Sequence, residues 1–180
     1  MSADLQVVPF KVEKDVRIPP EEAIKILASY AARPIEELKD TVTVLCCQVT
    51  GSNLSYFAAV DPTERIMTMI AWSKSATMLC QITTKPLVYK TEDAGLWGDA
   101  IRERRPVITN DYASLVKPTK KGYPDGHVRI RRHMNLPILE GGRIVLVVGV
   151  GNKDEEYTLA DAKALQTFMG AAWKTLQPKL

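Results

Sequence analysis

Apolar positions along the chain recur with a helical period in some stretches and a strand period in others. Residues 1–18 carry no clear period and read as a lead-in. "PPEEAIKILASYAARP" opens with proline and two acids, the chemistry of a helix N-terminus. Ile24, Leu27, Ala28 and Ala31 then recur at helical spacing, Pro34 stops the helix, and "PIEELKD" predicts a short second turn. Three strand-like runs follow: "TVTVLCCQV", "LSYFAAVD" after the turn signal "TGSN", and "ERIMTMIAWS" after "DPT". In the third, Ile66, Thr68, Ile70 and Trp72 alternate with Met67, Met69 and Ala71, so both faces of that strand are expected to be covered. The short connections predict antiparallel pairing.

"SKSATMLCQITTKPLVYK" is mixed, a short helix and then a strand. "EDAGLWGDAIRERR" predicts a helix with Trp97, Ala100 and Ile101 on one face; Pro106 ends it and "VITND" is a short strand. After a long loop, "MNLPILEGGRIVLVVGVGNK" reads as a β-hairpin turning at "EGG". A helix over "YTLADAKALQTFMGAAWKTLQ" closes the chain. Thr158 with Asp161 resembles a capping box, and Leu159, Leu165, Phe168, Met169, Ala172 and Trp173 form the apolar face. The pattern as a whole predicts an α+β domain, a mainly antiparallel sheet with helices on its faces.

Composition narrows function more than fold. The chain has 180 residues, 46% hydrophobic and 25% charged, with a net charge of +3. That is an ordinary globular mix, too mildly basic for a surface that binds nucleic acid throughout. No apolar run reaches membrane-spanning length, and the N-terminus lacks the apolar core of a signal peptide, so a cytoplasmic protein is expected. Cys46, Cys47 and Cys80 fall in no CxxC or CxxCH spacing, which leaves no zinc or covalent c-type haem motif. The charge that exists is concentrated: Lys120 to Asn135, "KKGYPDGHVRIRRHMN", holds seven basic or imidazole side chains and one acid.

Several stretches together resemble the GAF family: "AWSKSATMLC", "GLWGDAIRERRPVITNDY", "KKGYPDGHVRIRRHMNLPI" and "GGRIVLVVGVGNKDEEY" with the closing helix. The match is to the branch found beside histidine kinases, diguanylate cyclases and PAS domains. It is specific from about Trp72 to Lys153, weaker back to Thr41 and through the last helix, and absent over residues 1–18. Arg129 departs from it, standing where the family leads one to expect proline. The resemblance implies a GAF domain over residues 19–177 with a six-stranded antiparallel sheet. The first and last helices lie on one face, often forming a homodimer, and a ligand pocket lies on the other face under a helix and the long loop. The last helix, 158–177, would continue into an output domain, which makes a piece of a larger two-component signalling protein one expectation and a stand-alone sensor another.

With that pocket in mind, candidate ligand-binding residues are Trp72, Ser73, Ser75, Cys80, Trp97, Asn110, Asp111, Tyr112, Tyr123, His127, Arg131 and Arg132. Trp72, Trp97 and Tyr123 offer apolar area with a polar tip; Trp97 reads equally as core. Ser73 and Ser75 are hydroxyl donors beside Trp72. Asn110, Asp111 and Tyr112 close a strand, where polar side chains cap the loop or face a ligand. An arginine suits a carboxylate or phosphate, and strand alternation would let at most one of Arg131 and Arg132 enter a pocket. Lys117, Lys120 and Lys121 are expected in solvent. Cys46 and Cys47 read as structural thiols on a strand, His133 as a hydrogen-bonded loop residue, and Trp173 as core or dimer interface. Gly122 and Gly126 would let the loop close over a ligand.

The function expected is that of a small-molecule sensor without catalytic activity. The cofactor is open; a redox or haem-linked variant would use Cys80 or His127. An enzyme like free methionine sulfoxide reductase, which shares the fold and uses loop cysteines, is disfavoured because residues 110–135 contain no cysteine. Nucleic-acid binding through the basic loop is disfavoured because one tyrosine is a thin stacking platform.

Overall fold

The computed structural model describes residues 16–79, 88–123 and 125–180. Most of the lead-in, Cys80 and the residues up to Leu87 lie outside these. Helix α1 (Pro20–Ser29) and helix α2 (Ile35–Thr50) are followed by strands β1 (Leu54–Val60) and β2 (Ile66–Trp72). Then come α3 (Lys74–Leu79), β3 (Val88–Lys90), a 3₁₀ turn (Leu96–Gly98) and α4 (Asp99–Glu103). Strands β4 (Val107–Thr109), β5 (His133–Glu140) and β6 (Arg143–Gly151) precede the closing helix α5 (Leu159–Leu176). The strands form one antiparallel six-stranded sheet in the order β3-β2-β1-β6-β5-β4, the fold class expected.

The largest difference from the sequence reading is "TVTVLCCQV", which is helix rather than strand. Its β-branched residues mimic a strand, but Leu38, Val42, Leu45, Cys46 and Val49 share one buried helical face. Glu36 and Glu37 favour the positive N-terminal end, and Gly51 closes the helix in the left-handed conformation at φ 72°. Packing of that face outweighs local propensity. Cys46 is consequently buried against Met169 of α5, with Sγ–Sδ 3.4 Å apart, and burial pushes its thiol up. Cys47 sits half-buried on the same helix.

Helices α1, α2 and α5 cover one face of the sheet. Their core includes Phe57, Met134, Leu136, Ile138, Leu146 and Val148 from the strands, with Leu27, Leu45, Leu165 and Phe168 from the helices. Trp173 packs at its edge. Leu159 does not join this face and is 76% exposed. It occupies the first helical position, where the side chain projects backwards off the end of the helix. The predicted capping box is present: Thr158 Oγ1 accepts from the Asp161 N–H, and Asp161 Oδ2 accepts from the Thr158 N–H at 2.8 Å.

The opposite face carries a smaller core of Ala58, Met67, Met69, Val107 and Val147 beneath α4. A β-bulge decides which β2 residues join it. Phe57 pairs with Ala71 and Ala58 with Met69, so Ile70 is the extra residue. Simple alternation separates Trp72 from Met67 and Met69; the bulge restores it to their face, while Ile70 and Ala71 pack toward the helices.

Candidate functional site

Strand alternation, with Gly149 and Gly151 of β6, builds a cavity of about 910 Å³ on the face away from the long helices. From the sheet it is lined by Tyr56, Met69, Trp72, His133, Asn135 and Gly149. Trp97 of the 3₁₀ turn stands nearly perpendicular to Tyr56 and to Tyr89 of β3, at interplanar angles of 81° and 86°. Its roof is the segment between β4 and β5, which contributes Tyr112, Lys121, Tyr123, Asp125, His127, Val128 and Ile130.

The roof is held at both ends. Asp99, buried at the start of α4, accepts from Thr119 Oγ1 at 2.8 Å and pairs with Lys117 Nζ at 2.6 Å and Arg102 Nη2 at 2.5 Å. Burial pushes its carboxyl up, but Lys117, Arg102 and Thr119 outweigh that and hold it below the usual carboxylate range. Lys117 is therefore a tether rather than the solvated lysine expected. At the far end Asn152, in the left-handed conformation at φ 58°, clamps the loop. Its Oδ1 accepts from the Arg131 N–H and its Nδ2 donates to the Arg129 carbonyl, each at 2.8 Å. Between the anchors, Gly122 and Gly126 both adopt positive φ. Tyr123 stacks on His127 with ring centroids 4.9 Å apart and tilts against Tyr112 at 5.5 Å; the Lys120 ammonium lies 4.7 Å over the Tyr112 ring.

The structure brings Trp72, Trp97, Tyr112, Tyr123 and His127 together around this cavity. Other candidates lie elsewhere. Ser73 Oγ accepts from the Ser55 and Ala76 N–H groups and Ser75 Oγ donates to the Asn53 carbonyl, so both secure the turn after β2. Asn110 holds Tyr157 by two backbone hydrogen bonds of 3.1 and 2.8 Å, and Asp111 caps the Ser114 N–H. Neither Arg131 nor Arg132 lines the cavity. β5 begins only at His133, so strand alternation does not govern them. Arg131 pairs with the Asp154 carboxylate at 3.4 Å and Arg132 donates to the Asp154 carbonyl at 2.7 Å. With Asn110, Asp111 and Arg129 they line an outer recess of about 560 Å³, which shares Tyr112 and Tyr123 with the cavity. Cys80 lies outside the described residues. Lys121, expected in solvent, is at the cavity rim.

Of the polar groups of the cavity floor, Tyr56 and Asn135 were not singled out by the sequence reading, and His133, expected as a hydrogen-bonded loop residue, stands instead at the start of β5. Tyr56 Oη donates to Asn135 Oδ1 at 2.7 Å, and Asn135 Nδ2 lies 2.8 Å from His133 Nδ1. Tyr56 and Asn135 both pair with Gly149 across the sheet, so the hydroxyl reaches over a position without a side chain. Two signals were available: "HMN" places His133 and Asn135 two apart in a strand, on one face, and "VVGVG" places glycine inside a strand.

Burial pushes the His133 imidazole down from 6.5 to about 4, against a restoring pull from Asp99. Between those values the unfolded chain binds a proton that the folded chain refuses. Stability attributable to His133 is therefore full above about 6.5 and falls as pH drops toward 4. Urea denaturation should lose on the order of 3 kcal/mol across that window. His133→Gln should remove most of that slope.

With the geometry in place, comparison with known proteins is decisive for the family. The GAF domain family matches residues 32–177. The chain belongs to the GAF domain family. It is 42% identical over 158 residues to a "methyl sulfide methyltransferase-associated sensor" of Methanosarcina acetivorans, covering 88% of this chain but only 16% of that protein. Among solved structures, the GAF domain of a phosphoenolpyruvate-protein phosphotransferase from Coxiella burnetii is similar with a TM-score of 0.65 at 16% identity, covering 86% of this chain and 91% of that one. Free methionine-R-sulfoxide reductase from Neisseria meningitidis, in complex with its substrate, is similar with a TM-score of 0.63 at 14% identity, covering 89% of each chain. At these identities the structural matches establish the GAF fold alone. Among the described residues no helix is long and apolar enough to cross a membrane, and no group of His, Cys, Asp and Glu is arranged to hold a metal ion.

Proposed function

We propose that this GAF domain is the sensory module of a cytoplasmic signal-transduction protein, and that a small molecule binds between the sheet and the roof over residues 110–132. The observation that carries this is the aromatic-walled cavity of about 910 Å³, of a size suited to a cofactor or metabolite. The relative named a sensor supports the role. β5 offers a route for the signal, because His133 and Asn135 face the cavity while Met134, Leu136 and Ile138 pack against the helices. A ligand that binds two arrangements of that strand unequally would shift the packing of α1 and α5, and with it a homodimer formed through them. A thermal-denaturation screen with carboxylates, nucleotides, anions and tetrapyrroles tests the reading. A ligand at about 100 times its Kd should add about 2.7 kcal/mol and raise Tm by roughly 5–10 °C. No shift from any class, together with DNA retardation in a gel, would contradict it.

A second reading, a haem-linked sensor, is favoured by His127. Its Nδ1 lies 2.7 Å from the Val128 carbonyl oxygen, which can only accept, so Nδ1 carries the proton and Nε2 the lone pair. Metal-binding histidines characteristically anchor their other nitrogen in this way. The ring belongs to the wall of a cavity roomy enough for a tetrapyrrole, so His127 is the residue that would hold the iron. Haem would supply reversible gas binding or one-electron chemistry there. Purified protein would then absorb in the haem region, and His127→Ala would change that spectrum. A colourless protein that takes up no added haem removes this reading and leaves the first.

A further inference from the structure

We infer that His133 is the recognition donor of the cavity: its Nε2–H bonds an uncharged oxygen acceptor, such as a carbonyl, on a planar and otherwise apolar ligand. This rests on the reading that the cavity binds a small molecule, and adds the chemical class of that molecule.

The direction of the hydrogen-bond chain on the floor fixes the tautomer. Burial keeps the Tyr56 hydroxyl protonated, and it donates to Asn135 Oδ1. That leaves Asn135 Nδ2, a donor only, facing His133 Nδ1, which must accept. The remaining proton of the neutral ring is therefore on Nε2. Reversing the chain would leave the Tyr56 proton without an acceptor among the described residues. His133 is 9% exposed and forms part of the cavity wall, and its Nε2 meets no acceptor among the described residues. Nε2 is not among the buried polar atoms that lack a partner among the described residues, so it opens onto the cavity, where a ligand oxygen can take the place of water.

Charge sets the rest of the class. Arg131 and Arg132 are turned to Asp154, and Lys121 at the rim lies 4.0 Å from Asp93. No cation lies at the floor among the described residues, so a carboxylate there would be desolvated without compensation. Tyr56, Trp72, Tyr89 and Trp97 instead offer aromatic surface, which suits a planar body. His127 and His133 thus present opposite chemistry, a lone pair from the roof and a proton from the floor.

Two measurements on the 180-residue chain test this. Long-range ¹H–¹⁵N spectra should show His133 as the neutral Nε2–H form at pH 7; an Nδ1–H form would overturn the inference without touching the cavity reading. NMR titration with acetophenone, its isostere α-methylstyrene and benzoate then reads the acceptor preference. Acetophenone should bind about tenfold more tightly than either, as expected for one buried hydrogen bond. His133→Phe should erase the preference over α-methylstyrene, and Tyr56→Phe, a milder change, should weaken it. Equal binding of all three overturns this inference alone. Perturbation of cavity resonances by none of them overturns the cavity reading, and this inference with it.

Discussion

Gly149→Ala should lower stability by about 4 kcal/mol and reduce Tm by roughly 12 °C. Gly149 lies between Tyr56 and Asn135 in the three-strand register. An added Cβ would fall 2.6 Å from Tyr56 Cζ, closer still to Cε1, and inside contact distance of Asn135 Oδ1. Neither neighbour can retreat freely, because each is held by the hydrogen bond that joins them over the glycine. Overpacking in a dense interior costs about 1–3 kcal/mol, and severing a buried hydrogen bond adds roughly another 1 kcal/mol or more. Chemical denaturation measures the loss. The same variant should lose ligand binding, because Tyr56 and His133 would be displaced together. Gly170, where an added Cβ meets nothing within 4 Å, is the control: Gly170→Ala should be neutral or slightly stabilising.

Asp161→Ala should cost about 4 kcal/mol through a different mechanism. Asp161 caps α5 and receives Lys153 Nζ at 3.1 Å, with Arg17 on its other oxygen. Asp161 and Lys153 side chains are 1% and 6% exposed, so removing the carboxylate strands an ammonium in the interior. Burial pushes the Asp161 carboxyl up, but the Thr158 N–H, Lys153 and the Thr158 hydroxyl outweigh that and hold it below the usual range. Asp161→Asn keeps a capping oxygen and should lose less. Adding Lys153→Met to Asp161→Ala should recover a large part of the loss, because the cation is then gone. No recovery in denaturant midpoint would contradict the stranded-charge explanation.

The outline of the fold was legible wherever one period dominated. β1, β2, the β5–β6 hairpin and α5 with its cap stand where hydrophobic spacing and turn chemistry put them. Residues 41–49 misled because their β-branched side chains satisfy a strand locally. Only the buried face shared by Leu38, Val42 and Leu45 shows that the long helix continues. The aromatic lining of the cavity was also legible, since Trp72, Trp97, Tyr112, Tyr123 and His127 all border it. The polar floor was not, because its members sit on β1 and β5 and meet only across β6. That register depends on sheet order, which sequence spacing does not encode. The arginines misled for a simpler reason: alternation was applied two residues before the strand begins.

Native mass spectrometry of the purified chain tests the central claim most directly. A protein whose cavity binds a small molecule should retain one adduct per chain above the bare 20.0 kDa mass, either as purified or after incubation with cell extract. The adduct should be absent from Gly149→Ala, and its mass would identify the ligand. A bare chain under every condition, with wild type and Gly149→Ala indistinguishable, would contradict the claim.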